Sequence, residues 1–226
     1  MKRLFVLIVF IALFFTAFLF LKRNVTDSPV INPPLVNNTE KQIPENYLIS
    51  LQVGEIDTRI SDPMVENLVY REHAYVLVQV KDPMYYDEVT SKLEKLGAKR
   101  YGYVPNYSYI FYIPTNALNE ITSLEEVQWV GWYYPKYKTT LTSSDIKNSQ
   151  LTIMMFPDEE KVIQAVATLD NMGKSNSEYY CDELACTYTR YALDSGHSIE
   201  DITDLEVVMW VERYVEPSIS PPTPNL

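Results

Sequence analysis

The segment Glu-Ile-Thr-Ser-Leu-Glu-Glu-Val-Gln-Trp-Val-Gly-Trp-Tyr at residues 120–133 returns at residues 201–214 as Asp-Ile-Thr-Asp-Leu-Glu-Val-Val-Met-Trp-Val-Glu-Arg-Tyr. One offset of 81 residues superposes Ile121 on Ile202, Leu124 on Leu205, Val127 on Val208, Trp129 on Trp210, Val130 on Val211 and Tyr133 on Tyr214. So many matches at one spacing exceed chance, and they require a supersecondary unit used twice. A chain of 226 residues accommodates two such units of roughly 70 to 80 residues each, near the lower limit at which a core sustains itself.

The first unit opens with a strand at residues 75–80, where the period of two puts Val76, Val78 and Val80 on one face. Asp82-Pro83 starts a helix carrying Val89, Leu93 and Leu96 on one side, and Gly97 ends it. A strand at 99–104, a turn at Pro105-Asn106 and a strand at 107–113 form a hairpin. Pro114 begins a short helix through Leu124, and residues 127–132 supply the fourth strand. The second unit repeats the order: a strand at 151–156, a helix at 158–172 with Val162, Ala165, Val166 and Leu169 inward, a hairpin through Cys181 and Cys186, a helix up to Leu205 and a strand at 207–214. Its hairpin region is five residues longer, measured from Gly97 to Ile121 against Gly173 to Ile202.

A βαββαβ chain folds as an antiparallel sheet with both helices on one face, the ferredoxin-like arrangement. The expected fold class is therefore α+β: two tandem ferredoxin-like βαββαβ modules preceded by a single N-terminal transmembrane helix. The face away from the helices carries either Tyr101, Tyr103, Tyr107, Tyr109 and Phe111 or their alternates, and both sets are large and apolar. Such a face is covered a second time, by the other repeat or by an outside protein.

Residues 4–21 are apolar except for Thr16 and, at about 1.5 Å per residue, reach most of the way across a hydrocarbon core of about 30 Å. No small-x-small cleavage site follows before Lys22 and Arg23, so an uncleaved anchor is expected at residues 1–23, with a cleaved signal as the alternative. Basic residues flank both ends and give no orientation. The tiny amino-terminal tail and the cysteine pair place the bulk of a single-pass cell-membrane protein outside the cytoplasm, compatibly with sequons at Asn24, Asn37 and Asn106. Residues 24–46, with Pro29, Pro33, Pro34 and Pro44, read as a stalk. The expected organisation continues with a lead-in plus first module at 47–138, a linker at 139–150, a second module at 151–217 and a Pro-rich tail at 218–226.

A net charge of −11 argues against a phosphate-binding surface, so no nucleic-acid partner is expected. Cys181 and Cys186 lack the second pair and the nearby His that a zinc site needs. They either close a short hairpin loop by a disulfide, contributing about 2 kcal/mol, or remain two free buried thiols. His73 and His197 lie in no recognisable arrangement with a nucleophile, and no phosphate loop or metalloprotease motif occurs. Asp158-Glu159-Glu160 is read as favourable charge at a helix start. Neither enzymatic activity nor any cofactor or metal is expected.

Tyr75-Val-Leu-Val-Gln-Val, Leu96-Gly97, Tyr103-Val-Pro-Asn-Tyr, Val127-Gln-Trp-Val and Tyr134-Pro-Lys-Tyr-Lys138 together resemble the prodomain of archaeal and bacterial subtilisin-like serine proteases, in particular the fervidolysin type. Leu169-Asp-Asn-Met-Gly173 and Val208-Met-Trp-Val-Glu212 resemble the second prodomain-like module of some of these precursors. The resemblance covers residues 47–217. It implies a protein that binds a subtilisin-like protease as inhibitor or folding helper, with the open sheet face (Tyr101, Tyr103, Tyr107, Tyr109) on the enzyme and Tyr214, Val215 and Glu216 as a strand in its cleft. Pro217, which follows, is expected to make that tail a poor substrate. No Asp-Thr-Gly, His-Gly-Thr-His or Gly-Thr-Ser-Met-Ala segment of a protease occurs. The alternatives are a structural or adhesive surface protein and the prodomain half of a split protease precursor.

Overall fold

The computed structural model describes residues 47–60 and 71–217. A two-stranded ribbon comes first, β1 (Leu48–Leu51) against β2 (Gly54–Asp57), closed at Gly54 with φ of 131°. The first module follows as β3 (His73–Val80), α1 (Tyr86–Lys95), β4 (Lys99–Val104), β5 (Ser108–Pro114), α2 (Leu118–Thr122) and β6 (Val127–Trp132). The Asp82 carboxylate caps the turn before α1 by accepting from the Met84 amide, and Gly97 closes the helix at φ of 87°.

The second module comprises β7 (Leu151–Met155), α3 (Glu159–Met172), β8 (Gly173–Ser175), β9 (Tyr180–Cys181), β10 (Cys186–Leu193), α4 (Ile199–Thr203) and β11 (Val208–Arg213). The first sheet runs β4-β5-β3-β6 and the second β11-β7-β10-β8, every pair antiparallel, with β9 also on β10. Asp158 caps α3 and Glu159 and Glu160 stand in its first turn, where negative charge meets the positive end of the helix.

The expected fold class is corrected on these grounds. The described residues form a mixed but mostly β structure of three sheets and four short α-helices, not two equal modules alone. The lead-in is a ribbon with its own sheet, and the second strand of the second module is broken into β8 and β9. Among the described residues no helix is long and apolar enough to cross a membrane, which replaces the expected transmembrane helix and single-pass cell-membrane location. Residues 4–21, the stalk at 24–46 and the tail at 218–226 lie outside the described residues.

Both tryptophan segments take the same place. Gln79 stands opposite Trp129 and Val80 opposite Val127, so Gln128 is bulged; Met154 stands opposite Trp210 and Met155 opposite Val208, so Met209 is bulged. Beneath the first sheet, Val76, Val78 and Val80 bury against Val89 and Leu93 of α1 and Ile121 of α2. The other core is continuous between modules. It runs from Tyr75, Leu77 and Trp129 through Ile49 and Ile56 of the ribbon to Phe156, and on to Ile153, Val162, Leu169 and Val208 under the second sheet.

The linker belongs to the second module as much as to the first. Lys138, 3% exposed, donates through Nζ to the carbonyls of Thr203 (2.9 Å), Leu205 (2.9 Å) and Glu206 (3.4 Å) just past α4. Its carbonyl accepts from the Val211 amide at 2.7 Å, and Thr139 forms a parallel bridge to Val211. Burial pushes the Lys138 ammonium down to about 8, against the raising influence of Glu206 and Asp204.

Candidate interaction site

The helix-free face of the first sheet is occupied by its own chain. Gln79, fully buried, accepts from Thr58 Oγ1 (3.0 Å) and Gln128 Nε2 (3.1 Å) and donates to the carbonyls of Leu48 (3.2 Å) and Asn106 (2.9 Å). These bonds fasten the ribbon over the middle of the sheet and satisfy the buried amide. Further along, Phe156 stacks on Tyr75 at 4.2 Å between centroids and touches Tyr101 and Tyr133 at 4.9 and 6.0 Å. Tyr133 Oη donates to the Met209 carbonyl at 2.9 Å, and its burial raises the phenol's pKa.

The four tyrosines expected to share the open face do not. The β4–β5 register slips between Arg100 and Gly102, and this bulge sends Tyr101 to the side of Tyr75 and Phe156. Tyr103 and Tyr109 lie on the helix side, both edge-on to Tyr86 of α1, with the Arg100 guanidinium over Tyr109. Tyr107 occupies the β4–β5 turn at φ of 68° and is half-buried. Tyr101 is thus internal, and only Tyr103 of the four is largely exposed.

In the second sheet the equivalent face carries a row straight across four strands. Trp210 stands opposite Met154, Met154 opposite Thr187 and Thr187 opposite Tyr180, so all four side chains project to the side away from α3. Trp210 is buried at 8% exposure, Met154 and Thr187 are half-buried and Tyr180 is 70% exposed, and none of the four packs within the two continuous clusters described above. One substitution between the repeats sets the two tryptophans apart. A Cβ at Gly131 would come within 1.9 Å of the Trp129 ring, which lies across that glycine. The aligned residue is Glu212, whose carboxylate instead accepts from the Trp210 indole Nε1 at 3.2 Å.

The expected tail follows β11, Tyr214 donating its amide to the Gln150 carbonyl at 2.8 Å. Val215 is 79% exposed. Arg190, itself at φ of 52°, holds both neighbours: Nε donates to Tyr214 Oη (3.0 Å), the guanidinium lies 5.3 Å from the Tyr214 ring, and one terminal nitrogen pairs with Glu216 at 2.7 Å. The Tyr214 and Glu216 partners raise the Arg190 pKa. Sequence reasoning missed Arg190; its only signal was a lone cation in an otherwise uncharged stretch of strand.

Cys181 and Cys186 are joined by a disulfide across β9 and β10. Cys186 is buried with Met155 and Val208 on the sheet face opposite that row. His73 stacks on Tyr112 at 5.1 Å and His197 lies 3.6 Å from Asp201. Among the described residues no group of three or more His, Cys, Asp or Glu side chains is placed to hold a metal ion.

Residues 35–134 match the family model of a domain of unknown function (DUF8729). The match spans less than half of the chain, taking in the ribbon and the first module and stopping before the linker. No curated protein matches the chain.

Proposed function

We propose that this chain is a non-catalytic binding protein that engages a subtilisin-like protease, as inhibitor or folding helper, through its second module. The observation that carries the reading is the contrast between the two sheets. The ribbon and Phe156 already occupy the first face, whereas the second sheet's row runs from buried Trp210 through half-buried Met154 and Thr187 to Tyr180, 70% exposed, with no segment of the ribbon over it. Buried or half-buried aromatic and thioether groups on a flat face are the side chains that dominate protein interfaces.

The strand leaving that sheet supports the same reading. Tyr214 continues the β11 pairing through its amide bond to Gln150, Val215 is 79% exposed, and Pro217 follows with no amide to donate. A segment of this kind adds to an enzyme's edge as a strand once Arg190 releases Tyr214 and Glu216, and the proline then denies the cleft one main-chain hydrogen bond.

Titration of the full chain against a panel of subtilisin-like proteases tests this. Slowed hydrolysis of a chromogenic substrate is expected, together with loss of inhibition when Tyr214 to Glu216 is deleted. A chain that slows none of the enzymes, or is digested as fast as casein, refutes the proposal.

A further inference from the structure

The five additional residues of the second hairpin build a rigid, acidic, aromatic tip with no counterpart in the first module. The disulfide ties β9 to β10 at the base of the turn. Within the turn, Asp182 Oδ1 accepts from the amides of Leu184 (2.8 Å) and Ala185 (2.9 Å), and the Asp182 amide donates to the Ala185 carbonyl at 3.0 Å. A covalent tie and three hydrogen bonds thus fix a loop of four residues.

What this loop presents is apolar. Leu184 is 77% exposed and Tyr180 70%, with Tyr179 beside them, and Tyr180 is also the exposed outer end of the row that crosses the second sheet. From Ser175 to Thr189 the chain contains Glu178, Asp182 and Glu183 and no Lys, Arg or His. Large side chains held ready in their bound geometry lose little entropy on docking, and an acidic rim selects a cationic surround. Anionic lipid is disfavoured by the same carboxylates.

We infer that the Tyr180 and Leu184 tip is a second anchoring point for the protein partner, inserting into an apolar pocket rimmed by Lys and Arg. This rests on the protease reading above, and it extends the contact from the strand Tyr214 to Glu216 to the far side of the sheet. Asp182 shapes the turn, Glu178 and Glu183 steer the approach, and the disulfide keeps the two apolar side chains in register.

Binding of the full chain to the same proteases, with the nucleophilic serine replaced by Ala so that cleavage is silent, tests the tip. Tyr180→Ala with Leu184→Ala should weaken binding by at least about tenfold, these being central apolar anchors. Glu178→Gln with Glu183→Gln should lower the association rate and flatten its salt dependence. Because the replaced side chains are exposed, thermal unfolding should stay where it is in the unaltered protein, which separates lost contact from lost fold. If binding survives both double substitutions but is lost on deletion of Tyr214 to Glu216, the tip proposal falls and the protease reading stands. If the unaltered chain binds none of the enzymes, both fall. Tip-dependent binding to vesicles of phosphatidylserine and phosphatidylcholine, or tip-dependent self-association in sedimentation, would assign the surface to another occupant and overturn the proposal.

Discussion

Phe156 lies face to face on Tyr75, with ring centroids 4.2 Å apart and planes 12° apart, and through this pair a residue that follows β7 completes the sheet of the preceding module. Both rings are buried, so the modules share one hydrophobic body rather than a lubricated boundary. Phe156→Ala should cost about 3 to 5 kcal/mol, as for other buried aromatic truncations. Urea unfolding followed by tryptophan fluorescence should show a single transition moved to lower denaturant, not an early step from one module alone.

Lys138→Met removes the donor for three carbonyls while keeping the apolar stem, and should destabilise the chain by about 2 kcal/mol through the orphaned acceptors. The pH dependence has a definite sign. Because the folded-state value is about 8, below the ordinary lysine value, the unfolded chain holds more protons from there to about pH 10, and stability rises with pH across that window by at most about 3 kcal/mol. Above about pH 10 the trend reverses, since burial keeps the Tyr75 and Tyr133 phenols neutral in the fold while the unfolded chain ionises them. Denaturation curves at stepped pH should show the rise in the unaltered protein and its absence in Lys138→Met.

The repeats give a paired test at aligned positions. Gly131→Ala drives a methyl group into the Trp129 ring and should cost about 3 kcal/mol, whereas Glu212→Ala meets no such obstacle and removes one exposed carboxylate. Thermal unfolding of the two variants should separate them clearly.

Reduction of the Cys181–Cys186 bond, or its replacement by two serines, releases a small loop and should lower stability by about 2 kcal/mol on the loop-entropy account. Hydrogen exchange should localise the loosening to β9 and the turn that follows it.

Arg190→Ala cuts the two hydrogen bonds that tie Tyr214 and Glu216 to β10. Limited proteolysis should then cleave near Val215 several times faster, at an unchanged melting temperature, since the altered contacts are at the surface.

Much of the strand order was legible because β3 alternates cleanly: Val76, Val78 and Val80 face α1 as the period of two requires. The shared position of Trp129 and Trp210 likewise follows from an 81-residue echo that includes the bulge itself. What escaped sequence reasoning escaped for identifiable reasons. A single bulge at Tyr101 exchanges the faces of the β4 residues beyond it, so Tyr103 cannot be assigned to a side by counting from Tyr101. The ribbon was read only as a lead-in, because residues 48–51 and 54–57 are too short to signal a sheet and are held by Gln79, a polar residue in a strand of valines. That glutamine marks the face the ribbon covers, and half-buried Met154 stands at the same place in the second module, which has no ribbon.

The bridge from Thr139 to Val211 has a meaning beyond holding the linker down. The outer margin of β11 would otherwise offer a row of unsatisfied amides and carbonyls to any passing chain, the usual seed of runaway strand pairing. The connector between the modules therefore doubles as a guard rail. Circular permutants opened between Tyr137 and Leu141, or module swaps that omit this stretch, would leave that margin bare and favour strand-to-strand polymerisation.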